Sequence, residues 1–236
     1  MSVTLLHLSD PHLTEDPASA LRLRQVLDLP PSRRPDAIVV TGDVADHGQP
    51  REYQAFTAAM TAGIPWIAVP GNHDNPEILR RELRQDRCPV IEVGPLRVIG
   101  LDVTVPGEDH GFLDEDTARL VAARARGAHQ VALALHQPPV RTGHAVADAM
   151  LLTNPEALID LVRRIPPVVA ILCGHVHTAL ASSLAGTPVL GAPGIASTLT
   201  LDPDRRPITM PDCPPGLALH HIDDDGSITT TFHHRA

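Results

Sequence analysis

The chain has 236 residues, enough for a full hydrophobic core in one large domain or two small ones, and with aromatics at only 2% that core must be built from Leu, Val, Ile and Ala. All 19 basic residues are Arg against 28 acids, and the net charge of −9 comes with no basic cluster longer than an Arg pair, which excludes the phosphate-contacting surface that a nucleic acid polymer needs. Cys88, Cys173 and Cys213 are too widely spaced for a disulfide framework, and neither a charged, apolar leader nor a membrane-length apolar run is present, so a cytoplasmic protein is expected.

Val3–Leu8 reads as a first strand and is followed by Ser9-Asp10-Pro11-His12, where Asp10 and His12 are two apart and can share one side of an extended segment. Pro17–Leu29 has helical apolar spacing and is closed by Pro30-Pro31. Asp36–Thr41 is a second strand ending in Gly42-Asp43, with Asp46 beyond it as a loop or cap residue. Gln49–Ala62 is a helix whose Tyr53, Phe56 and Met60 belong to the core. The strand Pro65–Val69 runs into Pro70-Gly71-Asn72-His73-Asp74, and Asn75-Pro76-Glu77 then starts a helix reaching about Arg87. Strands Pro89–Val93 and Leu96–Leu101 flank a Gly94-Pro95 turn, and Pro106–Gly111 is a loop in which His110 is a surface residue.

Asp114 caps a helix to Arg126. Val131–Leu135 is a buried strand ending in His136-Gln137, Asn154 caps the helix Pro155–Arg164, and Pro167–Cys173 is a strand ending in Gly174-His175-Val176-His177. Short strands follow at Leu180–Ala185, Pro188–Leu190, Leu217–Ile222 and Ile228–His233, with turns at Gly186-Thr187 and Asp225-Gly226. Pro203–Pro215 reads as a surface loop, and the pairs His220-His221 and His233-His234 as structural or surface residues.

Metal-ligand side chains therefore recur at strand ends: Asp10, His12, Asp43, Asn72, His136, His175 and His177. Seven donors exceed one tetrahedral zinc site, and imidazole with carboxylate suits Zn, Fe, Mn, Co or Ni. The simplest partition is two cations sharing one carboxylate, about 3.5–4 Å apart, an arrangement used for phosphoryl hydrolysis. His73 is the candidate to protonate a leaving alkoxide, with Asp74 orienting it. The expectation is a dinuclear metallohydrolase.

Asp10-Pro11-His12, Gly42-Asp43, Gly71-Asn72-His73-Asp74, His136 and Gly174-His175-Val176-His177 together resemble the signature of the calcineurin-like metallophosphoesterases, over about residues 3–190. The connecting text, including Thr41–Gly48, Pro106–Leu113 and Thr142-Gly143-His144, is most similar to the bacterial class III cyclic-nucleotide phosphodiesterases. The resemblance implies an α/β fold, a four-layer αβ-sandwich of two mixed sheets flanked by helices, formed by residues 1–236 as a single domain with strands in 191–236 completing the sheets. It also implies that Asp10, His12, Asp43 and His177 hold one metal and Asp43, Asn72, His136 and His175 the other, with Asp43 bridging and His73 at the phosphate.

Mn, Fe or Zn, with an Fe/Mn pair favoured, would be the cofactors, and the substrate a small phosphodiester, first 3′,5′-cyclic AMP, attacked by a metal-bridging hydroxide. A homodimer is the expected assembly. Glycerophosphodiesters or phosphomonoesters are the alternative substrates, and a non-catalytic metal-binding scaffold is the alternative class. Gln137 departs from the family, which carries a second His there.

Overall fold

The structure is a computed structural model that describes residues 2–29, 34–60, 63–202, 204 and 208–235. Strands β1 (Val3–Leu8), β2 (Ala37–Thr41) and β3 (Trp66–Val69) lie parallel, in register from Leu5↔Ala37 to Thr41↔Val69. On the other side β1 pairs antiparallel with β12 (Gly216–Ile222), which pairs with β13 (Ile228–His234), so the first sheet runs β13-β12-β1-β2-β3. The second sheet runs β4-β5-β6-β7-β9-β8 and consists of β4 (Val90–Val93), β5 (Leu96–Gly100), β6 (Gln130–Ala134), β7 (Val168–Cys173), β8 (Leu180–Leu184) and β9 (Thr187–Gly191).

Side-chain alternation along β1 explains the layering. Val3 and Leu5 point between the sheets, where they meet Val39, Ile67, Leu96, Ala132 and Leu172. Leu6 and Leu8 point the other way, onto helices α1 (Pro17–Leu27), α2 (Pro50–Ala59) and α3 (Pro76–Leu83), through Leu23, Phe56 and Leu79. The outer face of the second sheet is covered by α4 (Glu115–Ala125) and α6 (Pro155–Arg164), which contribute Val121, Leu158 and Leu161. This is the expected four-layer αβ-sandwich. Among the described residues, no helix is long and apolar enough to cross a membrane.

Four of these helices begin on Pro, whose fixed φ suits a first helical position that needs no N–H partner. Asn154, expected to cap α6, instead bridges backbone, accepting from Leu113 N–H and donating to Leu113 O. The helix expected to reach about Arg87 stops at Leu83, because Arg84 adopts a left-handed conformation (φ 54°) and Gln85 N–H closes onto Arg80 O. Likewise α2 stops at Ala59 and α1 at Leu27; the ends proposed at Ala62 and at Pro30-Pro31 lie outside the described residues.

Three elements escaped the sequence reading: α5 (Ala145–Asp148) and the two-residue strands β10 (Thr198–Leu199) and β11 (Thr209–Met210). The last two pair with each other, and β11 falls within the stretch expected to be a proline-rich loop; Pro203 and residues 205–207 of that stretch are outside the described residues.

The His220-His221 pair divides between the two faces of β12. His220 is fully buried between the sheets, its Nε2 3.1 Å from His7 Nδ1 and its Nδ1 2.8 Å from Thr230 Oγ1. His7 Nε2 in turn lies 2.9 Å from Thr41 Oγ1, so a polar chain threads an otherwise apolar layer. Burial, reinforced by the neighbouring imidazole, lowers the proton affinity of both rings and keeps them neutral.

Candidate metal centre

Strands β1, β2, β3, β6 and β7 release their chains at one rim, and the sequence-predicted ligands occupy those five exits. Two glycines allow the exits to approach this closely. A Cβ on Gly42 would strike the His136 ring, and one on Gly174 would strike Ser9 Oγ and lie 3.0 Å from Asp10 Oδ2. The ligand-bearing backbone is itself unusual: Asp10 (φ 54°), His12 (43°), Asp43 (47°), His175 (67°) and His177 (50°) are all left-handed. Asp and His tolerate that region better than most residues, yet each instance still carries strain on the order of 1–3 kcal/mol.

All seven residues come together, in two groups. Ligand atoms of Asp10, His12, Asp43 and His177 lie within 4.8 Å of one another, and so do those of Asp43, His136 and His175. Asn72 Oδ1 joins the second group, 3.1 Å from His136 Nε2. Asp43 belongs to both, with Oδ2 3.4 Å from His12 Nε2 and 3.3 Å from His136 Nε2, while its Oδ1 accepts from the His73 backbone N–H at 2.9 Å. Asp10 accepts from the His175 N–H and lies 3.3 Å from His177 Nε2.

The chemistry of this donor set fits cations. His136 Nδ1–H donates to Thr41 O at 2.6 Å and His12 Nδ1–H to Asp46 Oδ1 at 2.8 Å, while His177 Nδ1 is 2.7 Å from Ser197 Oγ. With the outer nitrogens tied down, neutral rings aim bare Nε2 lone pairs inward, as second partners of metal-binding histidines do. His12 Nε2 and His177 Nε2 are 3.3 Å apart, and His136 Nε2 is 3.2 Å from His175 Nδ1; a cation between them would relieve these convergent acceptors.

Without cations, protons take their place. Burial would raise the Asp43 carboxyl, but His136 and His12 hold it well below the usual carboxylate range. Burial likewise opposes a proton on His136, yet Asp43 and Asp10 push that imidazole up to about 9. His177 is raised by Asp10 against its burial, whereas burial and the neighbouring His136 lower His175 to about 3.

His73 sits at the rim, 43% exposed, its ring edge-on to His12 and its Nδ1–H donating to Asp46 O at 3.0 Å, which leaves Nε2 free. Asp74 does not take the orienting role expected of it. Its buried oxygens accept from Val44, Ala45 and Gly71 N–H groups at 2.9–3.0 Å, clamping the β2 exit to the β3 exit. Burial and Asp43 raise Asp74 to about 6 despite those three donors. Asp46, read from sequence as a loop or cap acid, is the group that holds both His12 and His73. No sequence signal marks that contact, which the fold alone creates. Gln137 donates to Asp109 O at 3.1 Å, and Asp109 Oδ1 accepts from the Asn72 amide at 3.3 Å; His110 stays outside the site, 3.7 Å from Glu108.

Residues 3–179 match the protein family described as calcineurin-like phosphoesterase. The chain is 31% identical over 211 residues to a probable glycerophosphodiester phosphodiesterase, GpdQ, of Arcobacter nitrofigilis, covering 84% of this chain and 77% of that protein. It is also 31% identical over 245 residues to the 3′,5′-cyclic adenosine monophosphate phosphodiesterase CpdA of Pseudomonas aeruginosa, covering 97% and 89%. In three dimensions it is similar to a dimetal phosphatase from Danio rerio, with a TM-score of 0.73 at 15% identity over 99% of this chain and 96% of the other, a likeness of fold.

Proposed function

The chain belongs to the calcineurin-like phosphoesterase family, and from that footing we propose that it is a metal-dependent phosphodiesterase of small phosphodiesters, with 3′,5′-cyclic AMP the first substrate. The observation that carries this reading is the pair of ligand groups meeting at Asp43, with the outer nitrogens of their histidines already engaged. In the proposal Asp10, His12, Asp43 and His177 hold one cation, and Asp43, Asn72, His136 and His175 the other. When bound, two cations neutralise phosphate oxygens, lower the pKa of a water between them and favour in-line displacement. Their identity is taken as Mn, Fe or Zn on the imidazole–carboxylate chemistry.

This chain's own residues then divide the remaining work. His73 Nε2, free at the rim, gives a proton to the departing alkoxide. Asp46 fixes the His73 and His12 rings, and Asp74 fixes the backbone on which Asp43 and Asn72 stand. A glycerophosphodiester is the second reading, favoured by the equal identity to GpdQ. Residues 1–236 are proposed to act as a single domain, as a homodimer, in the reducing cytoplasm suggested by three free cysteines. The acidic surface argues against a nucleic acid polymer as substrate.

The test is hydrolysis of bis-p-nitrophenyl phosphate, cyclic AMP and a 2′,3′-cyclic nucleotide by chelator-stripped protein resupplied with manganese. Manganese-dependent turnover that includes cyclic AMP supports the proposal. Turnover of the aryl diester alone moves the substrate to the second reading, and none with any cation overturns the enzyme.

A further inference from the structure

A third cluster of metal-binding side chains overlaps the two groups that meet at Asp43 only at His12. Ligand atoms of His12, Asp46 and His73 fall within 4.8 Å of one another, and Asp46 is the pivot. Its Oδ1 is 2.8 Å from His12 Nδ1 and 3.6 Å from His73 Nδ1, whereas its Oδ2 faces His47 Nε2 at 3.5 Å. The Nδ1–H of His12 is committed to that carboxylate, so a further cation here would draw on Asp46 with His73 on one side and His47 on the other.

His47 is prepared as a ligand in the way that His12 and His136 are. Glu52 is buried, and its carboxylate accepts from the His47 ring Nδ1–H at 2.9 Å and from the His47 backbone N–H at 3.1 Å. An acid behind Nδ1 fixes ring and tautomer and leaves the Nε2 lone pair outward, as the outer partners of metal-binding histidines do. Asp46 stays ionised, because its hydrogen bond from His12 holds the carboxyl below its ordinary range. In tetrahedral zinc, nitrogen and oxygen donors about 2.0 Å from the ion stand about 3.3 Å apart, so both Asp46–imidazole separations are long by only a few tenths of an ångström. Ions reach the cluster from two sides: Asp46 and His73 line a cleft of about 520 Å³ over the metal ligands, and His47 and His73 line a second of about 320 Å³.

We propose that Asp46, His47 and His73 form a third, inhibitory cation site that takes a borderline divalent ion such as zinc. One carboxylate and two imidazole nitrogens favour zinc over magnesium or calcium, which prefer oxygen donors. Occupation takes the His73 Nδ1 that otherwise donates to Asp46 O, leaving the ring's one proton on Nε2. An imidazole bound to a cation through one nitrogen cannot add a second proton, so it no longer cycles as the acid that releases the alkoxide. The site stands on the geometry of the cluster alone, whereas its inhibitory effect rests on the phosphodiesterase reading.

Chelator-stripped protein titrated with zinc by equilibrium dialysis should take up three equivalents, the third roughly tenfold or more weaker than the others, and His47→Ala should take up two. Hydrolysis of bis-p-nitrophenyl phosphate should peak at two zinc equivalents and fall as the third binds. In His47→Ala the half-inhibiting zinc concentration should rise roughly tenfold or more, with the rate at two equivalents within about twofold of wild type. Magnesium at matching concentrations should not inhibit, and equal inhibition by it refutes imidazole ligation. Saturation of the wild type at two equivalents, or a third equivalent that survives His47→Ala, overturns the site. A third equivalent without loss of rate overturns the inhibition. Zinc-loaded protein that hydrolyses no diester overturns the phosphodiesterase reading, and the uptake ratio still decides the site. Should His47→Ala fail to fold by circular dichroism, ring nitrogen NMR spectra of the wild type serve instead: the third equivalent should shift His47 and His73, and shifts at His110 or His129 alone refute the site.

Discussion

Cation loading of this site must expel protons, and the amount follows from the geometry. In the metal-free protein Asp43, 3.3 Å away, and Asp10 keep a proton on His136 with a pKa of about 9, overcoming the burial that opposes it. A cation needs the bare Nε2, because Nδ1–H is committed to Thr41 O. At pH 7, about two units below that pKa, removing the imidazole's proton costs on the order of 3 kcal/mol, or roughly a hundredfold in cation affinity. His177, also raised, adds to this. Titration calorimetry of manganese into stripped protein, in buffers of different ionisation enthalpy, should report release of at least about one proton at pH 7, and log K should rise by about one per pH unit up to about 9. Tight binding with no dependence on buffer or pH refutes the reasoning.

Stability carries the same signature with a definite sign. The folded His136 value lies above its ordinary 6.5, so its contribution is complete below pH 6.5 and fades as pH rises through about 9. The folded Asp43 value lies below its ordinary 3.8, so its contribution is complete above pH 3.8 and fades as pH falls. Buried, neutral His7, His220 and His175 act in the opposite sense and cost stability as pH falls below 6.5, so melts of stripped protein should decline on both sides of about pH 6.5, and cation loading should remove the alkaline decline.

Asp43→Ala should lose both cations and fall to background turnover; metal analysis finding two bound ions with normal rates would rule out the shared carboxylate. His73→Ala should keep its cations and lose about 10²–10⁴ in kcat, most for poor leaving groups; equal losses on an aryl diester and cyclic AMP would count against proton donation. Asp46→Ala frees Nδ1 of His12 while keeping the backbone carbonyl that accepts from His73, so cation affinity should drop by about 10–100-fold, read by competition with a chelating dye. Unchanged affinity would show that Asp46 does not orient His12.

The ligand set was legible because its members follow apolar strand runs, five of them (Asp10, His12, Asp43, Asn72 and His175) directly beside Gly or Pro, where buried parallel strands must end. The layers were legible from the same runs. What local pattern could not supply was pairing across distance. Asp46 lies 34 positions from the His12 ring it holds, and Ser197 lies 20 from His177. Asp74 looked like a partner for its neighbour His73, yet three unprotected backbone N–H groups made a stronger claim on its oxygens. The His220-His221 dipeptide was read as structural or surface, and alternation on β12 makes His220 structural, driving it inward to meet His7. Strands of two residues, β10 and β11, carry too little pattern to be read at all.

The left-handed backbone at Asp10, His12, Asp43, His175 and His177 also shapes how such a chain can evolve. Glycine occupies that conformation without penalty, so a glycine substitution at one of these positions deletes a donor and relaxes the backbone in one step. Selection for turnover therefore works against an ever-present gain in stability at each of these codons. A lineage released from catalysis would drift towards glycine there, becoming sturdier as it fell silent, and an engineer wanting only the scaffold could begin with His175, whose φ of 67° is the largest among the five.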